Sequence, residues 1–129
     1  DQPMPALLEH TNMTVTDPDA TAQWMCDLFG WHIRWAGAAM AGGRTVHVGT
    51  DAQYLALYTP GAPGKPSDDN YTTVGGLNHL AVVTDDIDAM ETAVKALGFT
   101  PGNHGDYEPG RRFYFHDHDK IEYEVVQYD

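Results

Sequence analysis

Basic residues and cysteine are the two things this chain has least of. Seven Lys and Arg stand against nineteen Asp and Glu, a formal net charge of −12 over 129 residues. A surface that follows a phosphate backbone needs clustered cations, so nucleic acid is not an expected partner. The acidic residues are scattered rather than blocked, which reads first as a solvated surface and second as an attraction for cationic ligands. A single cysteine, Cys26, excludes an internal disulfide framework and suits a reducing compartment. No apolar run is long enough to cross a bilayer, and Asp1-Gln2-Pro3-Met4-Pro5 has neither the basic nor the apolar region of a secretion signal. The expected location is therefore cytoplasmic, with no membrane partner.

What is present is a pattern that occurs twice. Residues 7–16 alternate and carry β-branched side chains, as a strand does. Asp17-Pro18-Asp19 then opens a helix over 18–29, with Ala22, Met25, Cys26, Leu28 and Phe29 at helical spacing and Gly30 closing it. Strands are predicted at 31–35, 44–49 and 53–59, giving the order β-α-β-β-β. Residues 60–76 hold three prolines and four glycines, too long and too broken for a hairpin turn. A strand at 77–84 follows, then a helix capped by Asp85-Asp86 with Met90, Ala93, Val94 and Leu97 on its apolar face and Gly98 at its end. Strands near 99–104, 111–117 and 120–128 complete the second set.

The halves match as an internal repeat. Glu9-His10-Thr11 aligns with Asn78-His79-Leu80, Val15-Thr16-Asp17 with Val83-Thr84-Asp85, and Leu28-Phe29-Gly30-Trp31 with Ala96-Leu97-Gly98-Phe99. The fold class is α+β, two tandem βαβββ modules in one domain of residues 1–129: module 1 over 6–60, a linker over 61–76 and module 2 over 77–129. In the last strand, alternation puts Glu122, Glu124 and Val126 on one face and Ile121, Tyr123 and Val125 on the other. A carboxylate in so apolar a strand is costly to bury without a positive partner. For Glu122 the expected partner is Arg111 or Arg112, at the rim of the sheet. His116 and His118, among Asp117 and Asp119, read as a polar turn before an incidental metal site.

The blocks EHTNMTVTDPDATAQWMCDLFGW and NHLAVVTDDIDAMETAVKALGF, with RRFYFHDHDKIEYEVVQY at the end, resemble the vicinal oxygen chelate superfamily over nearly the whole chain. That superfamily includes glyoxalases, bleomycin-resistance proteins, fosfomycin-resistance enzymes and extradiol dioxygenases. The resemblance implies two modules whose sheets form a cup around a divalent metal, with ligands from the first and last strand of each. His10 and His79 fall on the first-strand ligand positions and Glu124 on the last-strand position of module 2. The matching place in module 1 falls near Ala56, whose methyl binds no metal. Two imidazoles and one carboxylate leave positions open for water and substrate, as in non-haem iron oxygenases, and the same donors also hold other divalent ions. Fe(II) is the first expectation, with Mn, Ni and Zn as alternatives.

The resemblance extends to a Tyr ten residues before the metal Glu in extradiol dioxygenases, the spacing of Tyr114 and Glu124 here. His118 stands where that signature has Pro, Lys120 where it has Gly, and His104 lies too far upstream for the remainder. Tyr114 is thus a candidate to hydrogen-bond a catecholic oxygen, and the plainer reading is an aromatic on a half-buried strand. His47 is a candidate acid–base group because imidazole titrates near neutrality. The repeat aligns it with Phe115, a parity that turns it from the cup.

The expected function is a divalent-metal enzyme acting on a small molecule through adjacent oxygens, extradiol-dioxygenase-like first. A glyoxalase or isomerase, and a fosfomycin-type thiol transferase, are the alternatives. Missing the fourth ligand at Ala56 counts against a glyoxalase, and the scarcity of Lys and Arg against a phosphonate site. A reading of another class is a non-catalytic drug-binding protein of the bleomycin-resistance kind, which the acidity and Trp24, Trp31, Trp35, Tyr54 and Tyr58 suit. The resemblance also implies a homodimer.

Overall fold

The computed structural model describes residues 3–129. Contacts divide the chain into two compact units between Gly64 and Lys65. In the first unit the order is β1 (His10–Thr14), α1 (Pro18–Phe29), β2 (His32–Ala38), β3 (Arg44–Gly49) and β4 (Tyr54–Thr59), with a short 3-10 turn at Met40–Gly42. The second holds β5 (Leu80–Val83), α2 (Ile87–Ala96), β6 (Gly102–Tyr107), β7 (Gly110–His116) and β8 (Glu122–Tyr128). Each forms a four-stranded sheet, β1-β4-β3-β2 in one and β5-β8-β7-β6 in the other. The first strand runs parallel to the last, β1 to β4 and β5 to β8, and the other pairings are antiparallel. This is α+β architecture in two βαβββ modules. Among the described residues no helix is long and apolar enough to cross a membrane.

The helices begin and end where local chemistry directs. Asp17 caps α1 by accepting from Ala20 N at 3.1 Å, with Pro18 in the first turn, where its missing N–H costs nothing. Gly30, at φ 71, takes the left-handed conformation that ends the helix and donates to Cys26 O. Asp86 caps α2 in the same way, accepting from Ala89 N at 3.1 Å.

Each helix lies on one face of its own sheet, and alternation along the strands divides apolar from polar residues. In module 1, Met13, Val15, Val46, Val48, Leu55 and Leu57 are buried with Ala22 and Met25 of α1. In module 2, Phe113, Phe115, Tyr123 and Val125 are buried with Ile87 and Val94 of α2. The residues between them, including His47, Tyr54, Arg112, Tyr114 and Glu124, therefore belong to the opposite face.

Several boundaries differ from expectation. β1 starts at His10 rather than residue 7 because β4 offers no partner before Tyr54, and Leu7 and Leu8 are exposed. β2 continues past Trp35 to Ala38, paired with Arg44, with a bulge between Ile33 and Trp35. β6 begins at Gly102 and not at 99, since Phe99 N is engaged with Val94 O at the end of α2.

The repeat is also offset from the sequence alignment. Val15 N donates to Tyr58 O and Thr84 N to Val126 O, so Val15 corresponds to Thr84 and Asp17 to Asp86. The alignment of Val15-Thr16-Asp17 with Val83-Thr84-Asp85 is thus one residue out. The same correction applies to His47. It pairs with Ala56 as Tyr114 pairs with Glu124, so its counterpart is Tyr114 and not Phe115. The β7–β8 turn is one residue longer than the β3–β4 turn, and this shifts the register. Asp117 Oδ1 accepts from Asp119 N and Ile121 N within that turn, and Lys120 sits at φ 63.

Candidate functional site

Glu124, on the polar face of β8, is 7% exposed and answers the problem of a buried carboxylate with two partners. Arg112 NH1 donates to its Oε2 at 3.0 Å, and His79 Nε2 stands 3.1 Å from its Oε1. Arg112 comes from β7, two residues before the Tyr114–Glu124 pair, and its guanidinium also lies over the Tyr107 ring at 4.9 Å. Its Nε is buried without a hydrogen-bond partner among the described residues. The Tyr114 ring meets His79 edge to face, centroids 5.6 Å apart. Burial, and then the charge of Glu124, raise the Tyr114 phenol above its ordinary pKa, so at neutral pH it is a protonated donor.

The other nitrogen of His79, Nδ1, lies 2.7 Å from Asn78 Oδ1. Both ring nitrogens thus face acceptor oxygens. Such a ring is satisfied as an imidazolium, or as a neutral ring with Nδ1–H and a cation between Nε2 and the carboxylate. Two donors about 2.1 Å from one ion and at right angles stand about 3.0 Å apart, close to the Nε2–Oε1 spacing. The donor chemistry and the spacing of His79 and Glu124 therefore fit a divalent metal.

Glu122 departs from expectation. It is neither at a rim nor paired with Arg111 or Arg112. At 2% exposure it accepts from Asn70 Nδ2 at 2.8 Å and from the Tyr71 hydroxyl, two residues of the segment before β5. The hydrogen bond to Glu122 and partial burial push the Tyr71 phenol up to about 12. Asn70 Nδ2 also donates to Asn78 O at 2.6 Å. Arg111, on the helix side, pairs with Asp88 of α2 at 2.8 Å.

Module 1 presents a different set. His10 is stacked on Tyr54, centroids 4.9 Å apart, and its Nδ1 is 2.9 Å from Glu9 Oε1. Tyr54 OH donates to the same Glu9 oxygen at 3.3 Å, and Arg34 lies over the Tyr54 ring at 4.2 Å. His47 contacts Tyr54 and Trp35, at 4.8 and 5.2 Å between centroids. The His10–Glu9 hydrogen bond is the largest influence holding the Glu9 carboxyl below its ordinary range. Burial, with nearby His10 and Arg34, holds the His47 imidazole below its ordinary pKa, so it is a neutral base at pH 7. Ala56 pairs with Asn12 as Glu124 pairs with Ala81, so the place of a module 1 carboxylate carries a methyl. There is no register slip that would substitute Tyr54 or Tyr58.

Among the described residues no group of three or more His, Cys, Asp and Glu side chains is gathered as a metal cage. The structure brings His79, Glu124, Arg112 and Tyr114 together, and separately His10, Tyr54, His47 and Trp35. Asn78, Asn70, Tyr71 and Glu9 escaped the sequence reading. For Glu9 and Asn78 the signal was present, since each stands just before an equivalent histidine.

Comparison with curated proteins finds no match. Solved structures do match. A glyoxylase/bleomycin resistance protein/dioxygenase domain from Frankia sp. EAN1pec is 18% identical with a TM-score of 0.80, over 98% of this chain and 94% of that one. The fosfomycin resistance protein FosX from Listeria monocytogenes is 17% identical with a TM-score of 0.75, over 98% and 96%. A FosX structure with Mn(II) and sulfate, also 17% identical, has a TM-score of 0.72 over 98% and 95%. At these identities the likeness speaks for the fold. The model of the Glyoxalase/Bleomycin resistance protein/Dioxygenase superfamily matches residues 7–125, and the chain belongs to that superfamily.

Proposed function

We propose that the protein is a divalent-metal-dependent enzyme whose ligands are His10, His79 and Glu124, acting on a small molecule that presents two adjacent oxygens. The observation that carries the reading is the His79–Glu124 pair, an imidazole with acceptors at both nitrogens and a donor spacing of 3.1 Å. His10, the repeat equivalent of His79, is the third ligand of the proposal. When bound, the metal supplies Lewis acidity, stabilising negative charge as it develops on the substrate oxygens. Arg112 holds Glu124 Oε2 and so fixes which carboxylate oxygen is free. Tyr114 donates from its phenol to a substrate oxygen, and neutral His47 accepts a substrate proton.

Within this class we take ring cleavage of a catecholic substrate with Fe(II) as the first reading, because Tyr114 pairs with Glu124 and touches His79. The second is chemistry on a phosphonate with Mn(II). It is supported by the Arg112 guanidinium at Glu124 and by the FosX complex with Mn(II) and 1S,2S-dihydroxypropylphosphonic acid, 17% identical with a TM-score of 0.73. A homodimer is the proposed assembly, to be read by sedimentation.

Anaerobic Fe(II) loading followed by air and a panel of catechols separates the readings. The expected result is a yellow ring-cleavage product that is lost in Tyr114→Phe. No product from any catechol, with turnover of an epoxide phosphonate under Mn(II), replaces the first reading by the second. Ligand binding without turnover under either metal leaves the non-catalytic drug-binding reading.

A further inference from the structure

The residue before each proposed histidine ligand meets the same ring atom. Glu9 Oε1 lies 2.9 Å from His10 Nδ1, and Asn78 Oδ1 lies 2.7 Å from His79 Nδ1. One is a carboxylate and the other an amide, yet both offer an acceptor oxygen from the same place in the repeat. An ionised carboxylate only accepts, so the His10 contact is a hydrogen bond when Nδ1 carries the proton.

Each acceptor is braced from the last strand of its own module. Tyr54, the register partner of His10, donates its hydroxyl to Glu9 Oε1 at 3.3 Å and its N–H to Glu9 O at 3.1 Å. In module 2 the corresponding place belongs to Glu122, next to Tyr123, which pairs with Leu80. Glu122 reaches Asn78 through Asn70, whose Nδ2 donates to Glu122 Oε1 at 2.8 Å and to Asn78 O at 2.6 Å. An amide nitrogen has two protons, and these two bonds use both. The two modules thus build the same support from unrelated side chains.

We infer that Glu9 and Asn78 are positioning residues that keep a proton on Nδ1 of His10 and His79 and so leave Nε2 as the electron-pair donor. Tyr54 and the Glu122–Asn70 pair hold them in place. The inference rests on the metal reading of the two histidines. For His79 the need is concrete. Glu124 Oε1, 3.1 Å from Nε2, attracts a proton to the very nitrogen that must stay bare, and Asn78 supplies the opposing acceptor. A hydrogen bond on the far nitrogen also fixes the ring plane and raises its basicity as a ligand.

The test is a long-range 1H–15N correlation spectrum of the metal-free full chain at about pH 8, above the ordinary imidazole range. It reports which ring nitrogen bears a proton. The expected result is a protonated Nδ1 in both His10 and His79. Asn78→Ala should move the His79 proton to Nε2 with His10 unchanged, and Asn78→Asp, which keeps an acceptor, should restore the wild-type pattern. Glu9→Ala should alter His10 alone. Both residues are exposed, so neither variant removes core packing. A bare His79 Nδ1 in the wild type, or a His79 pattern unmoved by Asn78→Ala, overturns the inference.

Zn(II) titration of the same samples separates this inference from the metal reading. The expected loss in Asn78→Ala is about tenfold to a hundredfold in affinity. Wild-type affinity in that variant ends the positioning role and leaves the metal reading intact. A wild type with the expected proton positions that takes up no Zn(II) ends the metal reading and leaves the proton assignment.

Discussion

Glu122 and Glu124 share a face of β8 and are both nearly sealed from water, yet their partners give them different work. Glu124 stands between a guanidinium and an imidazole, and one of its oxygens remains directed at His79. Glu122 meets only neutral donors, Asn70 and Tyr71, and spends its charge tying the segment before β5 to the sheet. Glu122→Ala leaves those donors without their acceptor and should destabilise the protein by about 1–3 kcal/mol, measured by denaturant unfolding. Amide exchange around Asn70 and Asn78 should quicken in the same variant. Unchanged exchange there would show that the segment is held by other contacts. The shared face of the two carboxylates was legible from strand alternation, and the histidines from their equivalent places in the repeat. The Glu122–Asn70 bond was not, because it spans 52 residues and depends on the path of an irregular segment. Arg112 was legible as a cation near the site, but only the β7–β8 register decides that it reaches Glu124.

At the scale of elements, helix and strand identities followed from capping residues and apolar spacing, and most boundaries moved by a few residues. The error that mattered was in one turn. The extra residue between β7 and β8 misaligned His47 by one place, and a one-residue slip in a strand reverses the face. With the register corrected, His47 and Tyr114 are counterparts on the polar faces of their sheets. The turn itself is organised by Asp117, 6% exposed, which accepts from two backbone N–H groups and from the Tyr123 hydroxyl at 2.8 Å. Burial raises its carboxyl above the ordinary value, outweighing the hydrogen bonds that lower it. A group with a raised folded-state pKa contributes stability that is fully present below its unfolded value, about pH 4, and is lost as pH rises through the folded value. Wild type should therefore lose stability relative to Asp117→Asn as pH rises from about 4 towards neutrality. Thermal unfolding of both proteins across that range checks it, and parallel pH profiles would contradict it. On the helix side of the same sheet, Phe113 is 1% exposed. Phe113→Ala should cost about 3–5 kcal/mol in chemical denaturation, through lost burial and the cavity left under α2. A cost below about 1 kcal/mol would mean that the site collapses around the smaller side chain.

Taken whole, the chain is one architecture written twice with different polar faces. Module 2 carries the carboxylate, the guanidinium and the phenol around His79, while module 1 surrounds His10 with aromatic rings and has a methyl at Ala56. This asymmetry is what separates a three-ligand set from a four-ligand one, and it was visible in the sequence because the repeat supplies its own alignment. The substrate was not visible, because recognition depends on side chains brought together by tertiary structure. Part of the region expected to be specificity loops, residues 102–110, proves to be the β6–β7 hairpin.

The central claim is that this chain holds a metal, and elemental analysis of protein purified without added metal tests it most directly. The account predicts about one divalent transition-metal ion per chain, or uptake to that level on titration, with at least about tenfold weaker binding in His79→Ala. Less than about a tenth of an equivalent with no uptake on titration, or full affinity in His79→Ala, would contradict it.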